Sequence, residues 1–307
     1  MKKEGKVSFE ELAQDFLRFY QERGRRSLNR AETGVKHLST FFGDKRIAAI
    51  TREAIETYVS TRLQQHSRLG WPTRPVTVNR ELAALSTMSN LAMRHKNADK
   101  NPMAAVERLR EHNVQDRILS SEEFQRPLDA LPSSLHLVVI MAYYTGMRRG
   151  EVLNLRWNQI DLSKGLIRLE GIDTKTQTGR LVPLNVTLTP LLKDAMQSPV
   201  QCAPGHIFHR NGEPIESIRS AFDKACREAG LTNFHIHDLR HTAVTNMRRA
   251  GIDPLTAMKI TGHKTMAVFR RYNSFDDDDL RQAPAQQHKF ITNLAQQPLS
   301  HELSSHK

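Results

Sequence analysis

His237-Asp238-Leu239-Arg240-His241-Thr242 is the segment that most narrows the fold and the chemistry of this 307-residue chain. The pattern predicts the start of a helix, where His237 and Arg240, three positions apart, share one face. A guanidinium and an imidazole on the same face can grip one phosphate from the same side. The segment therefore indicates a helix that binds a phosphate group.

Two histidines four positions apart in this segment also raise the alternative of a zinc site. A zinc protease helix needs glutamate directly after the first histidine, whereas Asp238 stands there and Arg240 brings positive charge beside the metal. Cys202, His206 and His209 form another loose group, but no second ligand pair follows at metal-like spacing. We therefore predict no metal site, and nothing in the sequence indicates another cofactor.

Working outward from this segment, further polar residues supply the donors that a phosphate diester needs as charge builds on its oxygens. Each has an ordinary alternative: an arginine after a helix end can cap carbonyls, a loop lysine is usually solvated, and a lone tyrosine usually packs. Their occurrence together favours catalysis, with a mobile lysine as general acid and a late tyrosine as nucleophile. The candidate catalytic residues are Arg148, Lys175, His237, Arg240, His263 and Tyr272.

Positive charge is concentrated in the first third of the chain. Residues 1–110 hold 21 Lys and Arg against 12 Asp and Glu, a net charge of +9 out of the total of +12. The alternative is a merely solvated surface. A basic module of this kind favours nucleic acid or an anionic membrane as partner, and the concentration of charge favours DNA.

Membrane insertion and secretion are not indicated. No apolar run approaches the ~20 residues that a spanning helix needs. The N-terminal Met-Lys-Lys-Glu-Gly-Lys has no apolar stretch behind it, unlike a signal peptide. The only cysteines, Cys202 and Cys226, suit a reducing compartment and offer no disulfide framework. We expect a cytoplasmic protein with no membrane partner.

Hydrophobic periodicity predicts a mainly helical protein with a small β-sheet. Four amphipathic helices are expected in the first third, with Ser8, Thr51 and Thr77 at the starts of three of them. Ser120 with Glu123, and Asp253 with Pro254, mark the starts of two later helices. A hairpin formed by Leu166–Leu169 and Leu181–Leu184 is expected among the later helices. The predicted parts are a helical DNA-binding domain at 1–110, a linker at 111–119, an α+β catalytic domain at 120–285 and a mobile polar tail at 286–307.

Residues 145–272 resemble the catalytic domain of the tyrosine recombinases, the phage integrase family. The family's Thr-Gly-x-Arg-x-x-Glu box is matched by Thr145–Glu151, and its His-x-x-Arg box, continued by His-Thr, by His237–Thr242. Its Gly-His followed nine residues later by Tyr is matched by His263 and Tyr272. Among the departures, Thr261 precedes Gly262 where leucine is common, and we expect this change to leave the chemistry intact.

The resemblance implies a fold and a domain order. It implies a SAM-like core-binding domain of helices at the front, matched here in character and size, and a catalytic domain of the DNA breaking-rejoining type behind it. Lys175 corresponds to the family's hairpin lysine through Thr174-Lys175-Thr176 before Arg180-Leu181-Val182-Pro183-Leu184. Because the first helix is predicted near Ser8, we expect a simple layout without an extra arm-binding domain.

The mechanism that the resemblance implies is strand transfer through phosphotyrosine. Tyr272 attacks the scissile phosphate, which produces a 3′-phosphotyrosyl linkage and a free 5′-hydroxyl. The 5′-hydroxyl of a partner strand then attacks this linkage and joins the DNA to a new end. Arg148 and Arg240 clamp the nonbridging oxygens, since a guanidinium offers a bidentate match. His237 and His263 hydrogen-bond the phosphate or help to remove the tyrosine proton. Because these side chains neutralise the transition state, no metal or nucleotide is required.

Two alternatives to a site-specific recombinase stay open at the level of sequence. A type IB topoisomerase-like enzyme shares the site and only relaxes supercoils, and a non-catalytic DNA-binding protein uses the basic bundle alone. The family implies double-stranded DNA as partner and a homotetramer on two DNA sites, with room for an accessory DNA-bending or excision factor. Target specificity depends on base contacts and DNA deformability, which a single chain does not reveal. The same holds for the direction of the reaction and for the origin in a phage, an integrative element or a housekeeping locus.

Overall fold

The computed structural model describes residues 7–25, 27–67, 70–111, 117–175, 177–198, 202, 205–270 and 277–296. The chain divides into two compact units, Met1–Asn113 and Val114–Lys307. One hydrophobic core lies in the first unit, and a larger core with a small satellite lies in the second. The predicted linker at 111–119 spans this division, and its residues 112–116 lie outside the described part of the chain.

Four helices build the first unit: α1 (Phe9–Glu22), α2 (Leu28–Phe42), α3 (Arg52–Gln64) and α4 (Pro75–Arg94). The Ser8 hydroxyl accepts from the backbone of Glu11 in a capping box, and the Thr51 hydroxyl accepts from Ala54, as the sequence predicts. Helix α4 begins two residues before the predicted Thr77, because a proline at the first helical position already has the helical φ.

A buried ion pair lies inside this bundle among apolar side chains. The Arg62 guanidinium and the Glu81 carboxylate, 8% and 4% exposed at their side chains, approach to 3.0 Å. The Tyr58 hydroxyl donates to Glu81 at 2.8 Å, and Arg62 also donates to Gln65 and Thr73. These bonds join α3, α4 and the connection between them.

The second unit opens with helices α5 (Ser121–Asp129), α6 (Ser133–Thr145) and α7 (Arg149–Leu153). Ser120 and Glu123 form the predicted capping box at the start of α5. Helix α6 is buried on several sides and ends at Gly146, whose φ of 62° is left-handed. Glycine adopts this conformation without the Cβ penalty, so the chain can turn directly into α7.

The predicted hairpin forms the main sheet of the second unit. Strands β1 (Ile160–Asp161), β2 (Leu166–Leu169) and β3 (Arg180–Pro183) pair antiparallel in that order. Leu166 faces Pro183 and Leu169 faces Arg180 in the register, so residues 170–179 form the connecting loop. Helix α8 (Leu188–Met196) and the short strands β4 (His209–Arg210) and β5 (Glu213–Pro214) follow, and the sequence analysis did not predict them.

Four helices complete the part of this unit that carries the candidate residues: α9 (Arg219–Glu228), α10 (Asp238–Arg249), α11 (Pro254–Thr261) and α12 (Met266–Phe269). Asp253 caps α11 and Pro254 takes its first position, both as predicted. Helix α10 packs against α6, and α11 packs against both α10 and β3. The ends of α6, α10 and α11 therefore meet beside the sheet.

Helix α13 (Asp277–Gln296) extends ten residues beyond Gln286, into the segment that the sequence analysis expected to be a mobile tail. Leu280 and Ile291 stand eleven positions apart, about three helical turns, so they recur on one face of this helix. This weak helical periodicity did not lead to a helix prediction, because the segment is mostly polar. Residues 297–307 lie outside the described part of the chain.

Candidate active site

Arg240 lies in the first turn of α10 and is only 2% exposed. Its Nη1 donates to the carbonyl oxygen of Gly146 at 2.6 Å, while Nε and Nη2 lie 3.3 and 2.9 Å from His263 Nε2. The guanidinium thus joins the turn after α6 to the turn after α11. A buried guanidinium held in this way has little water to displace when it binds an anion.

His237 occupies the position directly before α10. Burial lowers the pKa of His237, and the neighbouring Arg240 and His241 add to the effect. Since the shift is downward from 6.5, the ring is neutral at physiological pH. A neutral ring offers one donor and one acceptor, which is what either proposed role of this histidine requires.

Arg148 lies at the start of α7, as the first sequence box predicts. Its Nη1 donates to Glu151 Oε1 at 3.0 Å and its Nη2 donates to the carbonyl oxygen of Gly262 at 3.0 Å. The backbone nitrogen of Arg148 also donates to Glu151 Oε2 at 2.9 Å. Arg148 therefore contacts the turn after α11 at Gly262, and Arg240 contacts the same turn at His263, each from a different helix.

His263 follows the left-handed Gly262 at the end of α11 and is 7% exposed. Burial, and then the charges of Arg240, Arg148 and Arg180, lower the pKa of His263 to about 3. The ring is therefore neutral at every pH near neutrality. Phe269 of α12 packs edge-on against it, with ring centroids 5.5 Å apart.

Arg180 is a member of this cluster that the sequence analysis passed over. It begins β3, and its Nη2 lies 2.6 Å from Glu151 Oε2. Its Nε donates to the carbonyl oxygen of Ile260 at 2.8 Å. The sequence offered one signal, a basic residue opening a strand that is otherwise apolar, but such residues are commonly exposed at sheet edges.

Glu151 is the shared acceptor of Arg148 and Arg180, and its side chain is 3% exposed. Burial acts to raise the pKa of Glu151, but hydrogen bonds and charge from Arg180 and Arg148 outweigh it, so the pKa lies below 4.5. The carboxylate is ionised and holds two guanidinium groups in place. Glu151 therefore has a structural role in this cluster.

Lys175 stands apart from the cluster, exposed in the loop between β2 and β3. Within the described part of the chain it makes no hydrogen bond or ion pair. The base of the loop is fixed by the buried Thr174, whose hydroxyl lies 3.2 and 3.1 Å from the carbonyl oxygens of Gly171 and Thr178 and accepts from the Thr178 backbone nitrogen. An anchored loop with an exposed ammonium suits a lysine that meets its target only when substrate is present.

Tyr272, the predicted nucleophile, lies outside the described residues, which resume at residue 277. The chain leading toward it is firmly placed. The Thr265 hydroxyl accepts from the backbone of Val268 at the start of α12, and Phe269 is 1% exposed.

The described residues contain no group of three or more His, Cys, Asp or Glu side chains arranged to hold a metal ion. No described helix is long and apolar enough to cross a membrane.

Comparison with known proteins identifies relatives. The sequence model of the phage integrase family matches residues 107–278. The chain is 31% identical over 229 residues to the shufflon-specific DNA recombinase of Escherichia coli, an alignment that covers 73% of this chain but only 57% of that relative. It is 25% identical over 219 residues to the tyrosine recombinase XerC of Staphylococcus haemolyticus, covering 67% of this chain and 72% of XerC.

Solved structures share the fold at lower identity. A lambda integrase dimer bound to a COC′ core site superposes with a TM-score of 0.73 at 18% identity, over 87% of this chain and 77% of that one. The Tn1549 transposon integrase, in complex with a circular intermediate DNA, superposes with a TM-score of 0.73 at 17% identity, over 91% and 99%. The expected fold class, a helical front unit and an integrase-type catalytic unit, is therefore confirmed.

The family model covers more than half of the chain, and the structure brings together the arginines and histidine of three separate sequence boxes. This protein belongs to the phage integrase family, the tyrosine-type site-specific recombinases.

Proposed function

We propose that this protein cuts and rejoins DNA strands at a specific site through a 3′-phosphotyrosyl linkage to Tyr272. The observation that carries the proposal is the convergence of Arg148, Arg240 and His263 on the turn at Gly262, which forms a largely buried cluster of donors. Such a cluster suits a phosphate whose nonbridging oxygens gain charge in the transition state.

In the proposed step the phenolic oxygen of Tyr272 bonds to phosphorus and the bond to the 5′-oxygen breaks. Arg148 and Arg240 bind the nonbridging oxygens, with Arg240 already desolvated before substrate arrives. His237 and His263 hydrogen-bond the phosphate or accept the phenol proton, which their neutral state permits. Lys175 gives a proton to the departing 5′-oxygen. The energy of the broken bond is kept in the protein linkage.

The side-chain cations in this cluster supply the charge that the transition state needs, so the proposal includes no metal or nucleotide. The proposed substrate is double-stranded DNA, which also implies a cytoplasmic protein. Lambda integrase has been solved as a tetramer bound to a Holliday junction. By extension we expect a homotetramer on two DNA sites for this chain, with any accessory DNA-bending or excision factor to be identified by its requirement in the reaction.

A duplex with a nick close to the scissile phosphate tests the proposal, because loss of the short fragment traps the covalent linkage. The wild type should form a protein–DNA adduct that Tyr272→Phe abolishes. Tyr144→Phe is the matched control, since Tyr144 is an exposed tyrosine of α6. An adduct that survives Tyr272→Phe would remove this residue from its role.

The two alternatives predict different outcomes. A type IB topoisomerase-like enzyme would relax a supercoiled plasmid as a monomer and yield no recombinant product. A non-catalytic DNA-binding protein would form no adduct, and Arg148→Ala would leave its DNA affinity unchanged. Recombinant product that depends on two target sites and on Arg148 would decide for the recombinase.

A further inference from the structure

Thr261 is a fully buried hydroxyl directly behind His263, and it has no role in the reaction proposed above. It is the last residue of α11 and is 0% exposed. Its Oγ1 lies 2.6 Å from the carbonyl oxygen of Ala257 and 2.8 Å from His263 Nδ1. Its methyl group packs against the turn after α6, so closely that a Cβ on Gly146 would lie 3.1 Å from it. The side chain therefore has one well-defined position.

The proton positions around His263 follow from the donors that surround it. A guanidinium has only N–H donors, and two of those of Arg240 lie 3.3 and 2.9 Å from His263 Nε2. Nε2 must then be the acceptor, and in a neutral ring the proton is carried by Nδ1. Nδ1–H donates to Thr261 Oγ1, and the single proton of that hydroxyl goes to the carbonyl oxygen of Ala257.

No other assignment of these protons satisfies every group. If Thr261 donated to Nδ1, the proton of a neutral His263 would sit on Nε2 and point at the guanidinium of Arg240. A doubly protonated ring would also point Nε2–H at the N–H groups of Arg240, and it would add a positive charge beside Arg148 and Arg180. The strongly lowered pKa of His263 agrees with the exclusion of this doubly protonated form.

We propose that Thr261 is a positioning residue that accepts the Nδ1 proton of His263 and, together with Arg240, holds the ring so that Nε2 faces the phosphate-binding arginines as a hydrogen-bond acceptor. The functional meaning of this arrangement rests on the proposed recombinase reaction. The tautomer itself is a property of the free protein.

An acceptor at Nε2 selects between the two roles left open for this histidine. When Arg240 turns to the phosphate, the Nε2 lone pair is released and can take the phenol proton of Tyr272 as the oxygen–phosphorus bond forms. The bond from phosphorus to the 5′-oxygen breaks, and that oxygen receives a proton from Lys175. In this tautomer Nε2 has no proton to donate to a phosphate oxygen. His263 therefore acts as the acceptor, and Thr261 keeps Nδ1–H satisfied throughout.

This contact depends on a position at which the chain departs from the family pattern. Leucine is common at the position of Thr261 in the family that the sequence resembles, and a leucine side chain has no acceptor for Nδ1–H. The departure that looked neutral in the sequence becomes a polar contact in the structure.

Nuclear magnetic resonance of the protein labelled with ¹⁵N in its histidines tests the tautomer without DNA. Two-bond ¹H–¹⁵N correlations show which ring nitrogen carries the proton, and His263→Asn identifies the signals of this ring. We expect a proton on Nδ1 alone at neutral pH. Thr261→Ser should keep that pattern, whereas Thr261→Val, which preserves volume and removes the hydroxyl, should keep the proton on Nδ1 and shift its signal, because that proton loses its acceptor. A wild-type proton on Nε2 would overturn the proposal.

Single-turnover cleavage of the nicked duplex tests the consequence. Leaving the buried Nδ1–H without an acceptor should slow adduct formation by Thr261→Val about 10- to 100-fold. DNA affinity should stay unchanged, and Thr261→Ser should restore most of the rate. Thr245→Val is the matched control, because Thr245 is equally buried in α10 and its hydroxyl has no hydrogen-bond partner among the described residues.

The outcomes separate this inference from the proposed function. Absence of any adduct in the wild type would refute the function and leave the tautomer measurement standing. Cleavage by Thr261→Val at the wild-type rate, or an equal loss in Thr245→Val, would refute the positioning role while the recombinase remained.

Discussion

At the scale of single residues, His263 predicts how stability depends on pH. The folded ring has a pKa lowered to about 3, whereas an unfolded histidine titrates near 6.5. Between these values the unfolded chain binds a proton that the folded chain does not, so stability falls as the pH falls through this window. The free energy of unfolding of the wild type should therefore approach that of His263→Asn as the pH is lowered from about 7 to about 4.5.

Urea denaturation of both proteins at several pH values measures this effect. His95→Asn, which changes an exposed histidine after α4, controls for the substitution itself. A gap between wild type and His263→Asn that stays constant with pH would show that His263 is not held neutral.

At the scale of elements, the C-terminal turn of α11 couples backbone conformation to the arginine cluster. Gly262 has a φ of +74°, and a Cβ there would lie 2.9 Å from Arg180 Nη1. Gly251 has a φ of +78° at the end of α10, and a Cβ there would meet nothing within 4 Å. Alanine at either position strains a left-handed turn by about 1–2 kcal/mol. Only Gly262→Ala also displaces Arg180 from Glu151.

We therefore expect Gly262→Ala to lose adduct formation by at least about 10-fold beyond Gly251→Ala, since moving Arg180 disturbs Glu151, which also holds Arg148, and a small displacement of a phosphate-binding group is costly. Thermal unfolding and single-turnover cleavage of both variants separate strain from displacement. Equal activity in the two variants would mean that the position of Arg180 does not matter for the reaction.

The Arg62–Glu81 ion pair joins α3 to α4, and because it is buried we expect its loss to destabilise the protein more than loss of an exposed ion pair. Glu81→Gln leaves the buried Arg62 guanidinium without its carboxylate, which should lower the free energy of unfolding by about 3 kcal/mol. Glu56→Gln breaks an exposed pair, in which the side chains of Glu56 and Arg52 are 54% and 57% exposed, and should lower the free energy of unfolding far less. Urea denaturation of the two variants compares them, and similar reductions in stability would contradict the argument.

At the scale of the whole molecule, the distribution of charge predicts how DNA binding depends on salt. Residues 1–110 carry +9 of the net +12. Arg30 and Arg80 are exposed and line one groove of about 340 Å³ in the first unit. Removing one side chain that binds a phosphate should reduce the slope of log affinity against log salt by about 1.

Arg30→Gln with Arg80→Gln should therefore flatten the salt dependence of duplex binding by up to about 2. Arg227→Gln, an exposed arginine of α9 in the less basic unit, should change it less. Affinities measured at four or more salt concentrations give the slopes. An equal or larger change from Arg227→Gln would place the main phosphate-binding surface in the second unit.

The sequence alone determined the family, the fold class and the starts of several helices, because these depend on local patterns. Capping at Ser8, Ser120 and Asp253 and the hairpin of residues 166–184 are written in neighbouring residues. Short elements such as β4 and β5 were not predicted, since two residues are too few to show a periodic pattern. The polar composition after Gln286 concealed the end of α13.

Tertiary structure decided which polar groups meet. Arg180 and Thr261 looked like an edge residue and a neutral departure, and only the packing of β3, α11 and α6 brings them against Glu151 and His263. Hydrogen bonds between residues far apart in the chain depend on distances of a few tenths of an ångström, which no local pattern encodes. Residue types therefore revealed the chemistry, whereas protonation and positioning emerged only from the fold.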